Sequence, residues 1–195
     1  MYLIFDTETT GVPKDYNASP FDLDNWPRIT QIAILVLDEN FDVSHTYSEL
    51  IKPDGWEIPK EKFFIDNNMS TERCEKYGYP ISKAITSFIE LVSICDYVIA
   101  HNMKFDLNVL ASEMIRAGIK TTHKTTKICT MLSTIDFVGV KNQYGNKWPS
   151  LDELHNKLFN CGFDGAHDAL TDVKATAICF KKLKKENLIN NWISK

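Results

Sequence analysis

Short apolar runs and helically spaced apolar residues alternate along most of the chain. Three early segments, residues 2–6, 29–37 and 43–51, are rich in branched and aromatic side chains and predict strands. Two further short runs, residues 97–100 and 126–131, predict strands in the second half of the chain. The first half is therefore expected to be rich in strands.

Four stretches place apolar side chains three or four residues apart and predict helices. They cover residues 82–95, 104–117, 150–158 and 167–183. Gly118 is expected to end the second of these helices, as glycine commonly does. Ser150 followed by Glu153 forms the capping-box pattern that begins the third. Because strands and helices alternate after the early strands, we expect an α/β fold.

Residues 12–28 interrupt this pattern with a long segment that contains Pro13, Pro20 and Pro27 among polar residues. Such a composition predicts a loop, and a loop of this length in a compact domain is usually functional. We find no repeat, no low-complexity segment and no linker in the sequence. We therefore expect one domain over residues 1–195, with residues 12–28 as a loop insertion.

Composition and charge limit the location and the partners. The apolar runs are too short to span a bilayer, and the first residues lack the features of a secretion signal. The five cysteines form no CxxC pair, which indicates free thiols and a cytoplasmic location. The net charge of −4 disfavours a protein that coats nucleic acid by bulk electrostatics. An acidic site filled by divalent cations is still compatible with this charge.

Asp6 and Glu8 follow the first apolar run and alternate with Thr7, so a strand would direct both carboxylates into one cleft. Two carboxylates so close repel each other unless a cation neutralises them, and oxygen ligands favour magnesium or manganese. A strand that simply ends in solvated acids is the alternative for this pair taken alone. An EF-hand loop is excluded because its twelfth position is Asn17 rather than glutamate.

Two further acidic positions lie at the starts of predicted helices. Asp106 falls in the first turn of one, where a carboxylate more often stabilises the helix dipole than binds a metal. His167 lies where a loop meets the last predicted helix, and Asp172 follows one turn later. A lone histidine at such a place is more often a cap or a surface group. Each position is ordinary by itself.

Taken together, three motifs resemble the exonuclease motifs of the DnaQ-like DEDD superfamily. They are Asp-x-Glu-Thr-Thr-Gly at 6–11, His-Asn-x-x-Phe-Asp at 101–106 and His-x-Ala-x-x-Asp at 167–172. The histidine five residues before the final aspartate resembles the one that characterises the His-type branch of this superfamily. The segment Lys-Trp-Pro-Ser-Leu at 147–151 also resembles proofreading-subunit-type domains. The resemblance covers nearly the whole chain, and the motifs come in the expected order.

This resemblance implies a ribonuclease H-like fold, with a mixed five-stranded sheet flanked by helices. It also implies two divalent cations, Mg²⁺ or Mn²⁺, roughly 3.5–4 Å apart at the scissile phosphate. In that scheme Asp6 contacts both ions, Glu8 and Asp172 hold the ion that binds the attacking water, and Asp106 supports the other. His167 takes a proton from the water, since an imidazole titrates near working pH.

The resemblance further implies a single-stranded nucleic acid with a free 3′ end as substrate and nucleoside 5′-monophosphates as products. Thr9, Val12, His101, Asn102 and Phe105 are the candidates for substrate contact. The backbone near Thr9 would hold the terminal 3′-hydroxyl together with Glu8. Val12 and Phe105 would stack on the terminal bases, because stacking does not depend on base sequence.

Three alternatives remain open at this stage. The substrate is DNA or RNA, and the proofreading-like segment at 147–151 favours DNA and makes a DNA polymerase a candidate partner. A polymerase-bound module that binds nucleic acid without cutting it is disfavoured, because all five catalytic residue types are present. The lysine run at 181–185 would either contact phosphates or form a solvated helix end, which the helix dipole favours.

Overall fold

A mixed five-stranded sheet organises the computed structural model, which describes residues 1–122, 124–189 and 191–193. The strands are β1 (Tyr2–Thr9), β2 (Ile29–Leu37), β3 (Val43–Leu50), β4 (Tyr97–Ala100) and β5 (Thr126–Cys129). Their order in the sheet is β3-β2-β1-β4-β5. The first three pair antiparallel, whereas β4 and β5 run parallel to β1. The sheet confirms the α/β class with five strands.

Helices cover both faces of this sheet. In chain order they are α1 (Lys62–Asp66), α2 (Thr71–Tyr77), α3 (Ile81–Ser93), α4 (Met103–Arg116), α5 (Thr130–Ser133), α6 (Ile135–Val138), α7 (Leu151–Phe159) and α8 (Ala169–Lys185). A small hairpin, β6 (Lys141–Asn142) and β7 (Gly145–Asn146), lies between α6 and α7. The hairpin is separate from the main sheet.

The alternation of side chains along β1 decides which helix packs on which face. Leu3 and Phe5 join the core that contains the apolar side chains of α3 and α4. Ile4 joins a second core with Val173 and Phe180 of α8 on the opposite face. Residues two apart in a strand share a face, so Asp6 and Glu8 continue the face of Ile4 toward α8. Thr7 continues the face of α4.

Most predicted elements are confirmed, with errors at their ends. The second and fourth strands and the capping box at Ser150 match the prediction. The fifth strand was predicted to reach residue 131, but it ends at Cys129 because Thr130 begins α5. The last helix was predicted to begin at His167, but Asp168 caps it and helix begins at Ala169. The short helices α1, α2, α5 and α6 and the hairpin were not predicted.

Other expectations are also tested by the structure. All five cysteines are free thiols. Within the described ranges, no helix combines the length and apolarity needed to cross a membrane. In the lysine run, Lys181 contacts Asp42 and the carbonyl of Phe41, and Lys182 pairs with Glu186. These contacts agree with the reading of the run as a helix end.

Residues 12–28 form no helix or strand, yet hydrogen bonds attach them to α4. The Arg116 guanidinium donates to the carbonyls of Leu23 at 2.6 Å and Trp26 at 2.7 Å. One turn earlier in α4, the Ser112 hydroxyl donates to the carbonyl of Pro20 at 2.9 Å. Two of these carbonyls lie in the second half of the loop and one near its middle. We call residues 12–28 the strap, because α4 holds the segment in place.

One carboxylate joins the end of the strap to α4. The Glu113 side chain is 1% exposed and accepts from Arg28 Nε at 2.7 Å and Arg116 Nη1 at 3.1 Å. It also accepts from the backbone N–H of Ile29, the first residue of β2. Removing this carboxylate would leave two partly buried guanidinium groups without their shared partner. Glu113 is therefore central to the position of the strap.

We predict that Glu113→Ala lowers the free energy of unfolding by about 3–5 kcal/mol, because breaking a buried ion pair leaves an uncompensated charge. Asp66→Ala is the control: it removes an exposed i,i+4 pair with Lys62, which contributes about 0.3–0.5 kcal/mol. Urea unfolding followed by circular dichroism measures both. Equal losses in the two variants would contradict the role given to Glu113.

Candidate active site

The end of β1 brings two carboxylates to the face of the sheet that α8 covers. Asp6 lies opposite Ala33 and Glu8 opposite Gln31 in the antiparallel pairing with β2. The register shifts between Glu8 and Thr9, so the regular strand ends directly after the second carboxylate. The sheet thus fixes Asp6 and Glu8 through its backbone hydrogen bonds.

Asp106 reaches the same region from the other side of β1. It lies in the first turn of α4 and is 3% exposed. Its Oδ1 accepts from the Thr7 hydroxyl at 2.8 Å and from the Thr7 backbone N–H at 3.2 Å. These bonds join the start of α4 to β1 between the two strand carboxylates. The Asp106 carboxylate therefore has a partner in the strand as well as a place at a helix start.

His167 and Asp172 come from the start of α8. Asp168 caps this helix by accepting from the Thr171 N–H at 3.0 Å, and His167 stands just outside it with φ of 69°. The left-handed backbone is uncommon for a residue other than glycine. The His167 N–H donates to Asp172 Oδ2 at 3.2 Å. The imidazole also packs edge-on against the Phe63 ring of α1, with centroids 5.1 Å apart.

Gln31 fixes the start of α8 to the sheet. Its side-chain amide donates to Asp168 Oδ2 at 3.0 Å, and its carbonyl oxygen accepts from the Ala169 N–H at 3.3 Å. It is buried in a strand whose other residues are mostly apolar. Gln31 lies opposite Glu8 in the pairing, so one sheet position aligns β1 with α8.

The five predicted catalytic residues line one open cleft of about 350 Å³. They are Asp6, Glu8, Asp106, His167 and Asp172. Ligand atoms of Glu8, His167 and Asp172 all lie within 4.8 Å of one another. The structure thus brings together residues that are up to 166 positions apart in the sequence.

The donor set suits a divalent cation. Asp172 Oδ1 is buried and has no hydrogen-bond partner in the described part of the chain. A buried carboxylate oxygen without a partner is costly, and a cation beside it would remove that cost. Carboxylate oxygens are the ligands that magnesium and manganese prefer. The residues present therefore fit such an ion.

Mutual repulsion and burial raise the pKa values of all four carboxyl groups. Burial first, then the charges of Asp106, Glu8 and Asp172, raises the pKa of Asp6 well above its ordinary range. Burial and the charge of Asp172 raise the pKa of Glu8 to about 7. Burial raises the pKa of Asp106 to about 7 even though the Thr7 hydrogen bonds oppose the shift. Burial also raises the pKa of Asp172, against the effect of His167.

The predicted substrate residues lie around the same site. Val12, Asn102 and Phe105 line the cleft with the carboxylates. Thr9 lines an adjoining cleft of about 430 Å³, which shares Glu8, Val12 and Phe105 with the first. Val12 is 72% exposed, so its side chain is open to contact. The two clefts meet at the end of β1.

His101 also lines the cleft, but both of its ring nitrogens are engaged. Nε2 lies 3.0 Å from the carbonyl of Pro149, to which it must donate, and Nδ1 lies 3.0 Å from the Thr130 hydroxyl. Burial lowers its pKa to about 4, so the ring is neutral. Its nitrogens hold the segment before α7 against α5 and β4. A polar contact with substrate would have to break one of these bonds.

Sequence reasoning missed several residues that shape the site. Thr7 and Gln31 are two: the threonine is inside the first motif, and the glutamine is the one amide in an otherwise apolar run. Those patterns were available signals. Tyr16 of the strap lines the carboxylate cleft, and Phe63 of α1 lines the adjoining one. No spacing in the sequence links either aromatic residue to the motifs.

The fold is similar to solved structures of exonuclease I from E. coli. The complex with a dT13 oligonucleotide aligns with a TM-score of 0.73 and 19% identity, over 96% of this chain and 42% of that chain. The zinc ion bound form of the ssDNA complex gives 0.73 and 18%, over 96% and 41%. The dA16 complex gives 0.70 and 19%, over 94% and 40%. This chain therefore spans about two-fifths of their length, and the likeness shows a ribonuclease H-like exonuclease fold.

Sequence comparison supplies the family. Comparison with curated protein sequences finds no match. A family model described as an exonuclease, of the RNase T type, matches residues 3–180, which include all three motifs. Members of this family generally use divalent metals. The chain belongs to the RNase T/DnaQ-like DEDD family of 3′–5′ exonucleases.

Proposed function

We propose that this protein removes nucleotides from the 3′ end of single-stranded nucleic acid, with DNA as the preferred substrate, and releases nucleoside 5′-monophosphates. The observation that carries the proposal is the convergence of four carboxylates and one histidine in a single open cleft. An open cleft beside an acidic cluster suits a flexible strand end. Residues 1–195 would act as one exonuclease domain, and its free cysteines are compatible with a cytoplasmic location.

Two divalent cations, Mg²⁺ or Mn²⁺, would be held by Asp6, Glu8, Asp106 and Asp172. Bound cations of this kind lower the pKa of water and stabilise charge on the phosphate oxygens. Within the described residues Asp172 Oδ1 has no hydrogen-bond partner, and Asp6 and Glu8 repel one another. Thr7 holds Asp106 at its place in this set.

His167 would accept the proton of the attacking water. Its backbone N–H is held by Asp172, and Phe63 packs against its ring, so the imidazole is oriented next to the acidic cluster. It lies within reach of the same centre as Glu8 and Asp172. Proton transfer by a positioned imidazole is the commonest form of general base catalysis.

The free 3′ end would be recognised where β1 ends. Thr9 follows the register shift after Glu8 and lines the adjoining cleft, where its backbone would bind the terminal hydroxyl together with Glu8. Val12 and Phe105 line both clefts and would contact the last bases. These apolar contacts carry no sequence information, so the enzyme would accept any base.

DNA is preferred because the structural neighbours are complexes with dT13, dA16 and ssDNA. RNA is the second candidate, because the three motifs do not distinguish the sugars. A DNA polymerase partner, suggested by the segment at 147–151, gains no support from these neighbours. A non-cleaving module is disfavoured by the full catalytic set.

The first prediction of this function concerns polarity and metal. A 5′-labelled dT strand should shorten from its 3′ end in magnesium or manganese and remain intact after chelation. A terminal 3′-phosphate should slow the reaction strongly, because it occupies the place of the hydroxyl near Thr9. Denaturing gel electrophoresis measures both, with the matched rU strand as the test of the sugar. Nicking of circular single strands would show an endonuclease and refute the proposal.

The second prediction distinguishes the proposed general base from the proposed metal ligands. His167→Ala should lower kcat by about 10²–10⁴-fold, the usual contribution of a general base, without changing the magnesium concentration for half-maximal rate. Asp172→Asn should lower the rate and also raise that concentration, because it removes a charged ligand. His45→Ala, an exposed histidine on β3, is the control. If His167→Ala raises the magnesium requirement as much as Asp172→Asn, His167 is a ligand.

The third prediction concerns the pH dependence of thermal stability in the metal-free protein. Because the pKa values of Glu8 and Asp106 are raised to about 7 in the folded protein, the folded state binds more protons than the unfolded state between about pH 4.5 and 7. The chelated protein should therefore lose thermal stability as pH rises through this window. Magnesium should reduce the loss. Tm measured against pH tests this, and the double variant Glu8→Gln, Asp106→Asn should show a flatter profile.

A further inference from the structure

The hairpin formed by β6 and β7 carries two strongly exposed aromatic side chains. Tyr144 at its turn is 89% exposed, and Trp148 just after it is 63% exposed. Isolated apolar side chains on a surface are common and need no explanation. Here two large rings lie within five residues, on a segment that no catalytic role uses. Such rings are typical of surfaces that bind a partner by stacking.

The hairpin is held in a defined conformation. Its strands pair Lys141 with Asn146 and Asn142 with Gly145. The Tyr144 N–H donates to the Asn142 side chain at 2.8 Å, which fixes the turn. The Asn146 amide donates to Asp136 of α6 at 3.0 Å and attaches the hairpin to the rest of the protein. Tyr144 is thus presented to solvent by an ordered turn.

The end of the hairpin leads directly into the wall of the catalytic cleft. Trp148 precedes Pro149, whose carbonyl accepts from His101 Nε2 at 3.0 Å. Two residues later Leu151, the first residue of α7, lines the cleft with the carboxylates. The exposed Trp148 therefore lies three positions before the cleft-lining Leu151 and next to the residue that His101 binds.

The inference rests on the proposed function, in which the two sides of the cleft bind different parts of the substrate. Hydrolysis of the last phosphodiester separates a terminal nucleoside from the strand that is retained. If the terminal nucleoside sits near Thr9 and Phe63, the scissile phosphate lies at the carboxylates. The retained strand would then leave past His101 and Leu151, which line the carboxylate cleft but not the adjoining one. Trp148 precedes Leu151 by three positions.

We propose that residues 140–148 bind the retained strand, with Trp148 and Tyr144 stacking on its unpaired bases. Base stacking on aromatic side chains is the general means of holding single strands without sequence preference. Lys141 is exposed and forms no ion pair within the described ranges, so its charge is available to the phosphates. A duplex does not expose its base faces, so the surface selects single strands.

The test compares a short and a long substrate. A dinucleotide, dT2, fills only the two positions at the scissile bond, whereas dT12 extends to the hairpin. We expect the double variant Trp148→Ala, Tyr144→Ala to raise KM for dT12 by roughly 5- to 150-fold for each base stack that is lost. Its kcat on dT12 and its kcat/KM on dT2 should match the wild type. The affinity for 5′-labelled dT12 in calcium buffer, measured by fluorescence anisotropy, should fall by the same factor.

Two further variants guard against indirect effects. Tyr77→Ala removes a tyrosine that is 62% exposed on α2 and does not line the clefts, and it should leave all parameters unchanged. Trp148→Phe keeps an aromatic ring beside Pro149 and should retain most of the affinity for dT12. Because stacking ignores the sugar, rU12 should lose affinity in parallel with dT12.

The outcomes separate this inference from the proposed function. Wild-type protein that binds dT12 but cleaves neither substrate refutes the proposed function, and the hairpin is then judged by affinity alone. Equal losses on dT2 and dT12 in the double variant would show that the hairpin acts through the shape of the site, and would overturn the inference. An unchanged affinity for dT12 would also overturn it and leave the exposed rings to a protein partner.

Discussion

Electrostatic repulsion among four carboxyl groups is the constraint on which the rest of the structure depends. Burial raises the pKa values of Glu8 and Asp106 to about 7, and the like charges close to them add to this shift. Such groups would move apart if they were mounted on mobile segments. Here Asp6 and Glu8 lie on the central strand of the sheet, with β2 on one side and β4 on the other. The sheet holds them together, and a divalent cation bound there would remove the repulsion.

Two polar contacts then fix the helices that supply the remaining groups. Thr7 donates twice to Asp106 and sets the start of α4 against β1. Gln31 binds both Asp168 and the first N–H of α8, and so sets the start of α8 against β2. Each contact joins a helix start to a strand, because helix N-termini leave unpaired N–H groups and suit carboxylates. The site is therefore assembled at element ends that the core has already placed.

The sequence predicts the parts of this arrangement that have regular patterns. The branched residues of β2, the apolar run of β4 and the capping box at Ser150 specify their elements locally, and the three motifs contain the five residues that the structure brings into one cleft. The left-handed backbone of His167 was not predictable, because it depends on Asp168 capping α8 and on the bond to Asp172. The short helix α1 has too few residues for a periodic pattern, so Phe63 could not be assigned to the site. The attachment of the strap through Glu113 is a contact between distant segments that no local pattern reveals.

The segments around the sheet and its main helices contribute other side chains to the clefts than the carboxylates. The strap brings Val12 and Tyr16 to the carboxylate cleft, the segment after the hairpin brings Leu151 there, and α1 brings Phe63 to the adjoining cleft. None of these side chains is a carboxylate, so changing them would leave the proposed metal ligands in place. At 17–19% identity the structures of exonuclease I share the fold, which means that most side chains outside the shared framework differ. In the proposed function, β1, α4 and α8 would thus supply the chemistry, whereas the strap, α1 and the hairpin would decide the choice of substrate. Segments that are fastened to the core, as the strap is by Arg116 and Glu113, can vary in sequence and still present their side chains at a fixed place.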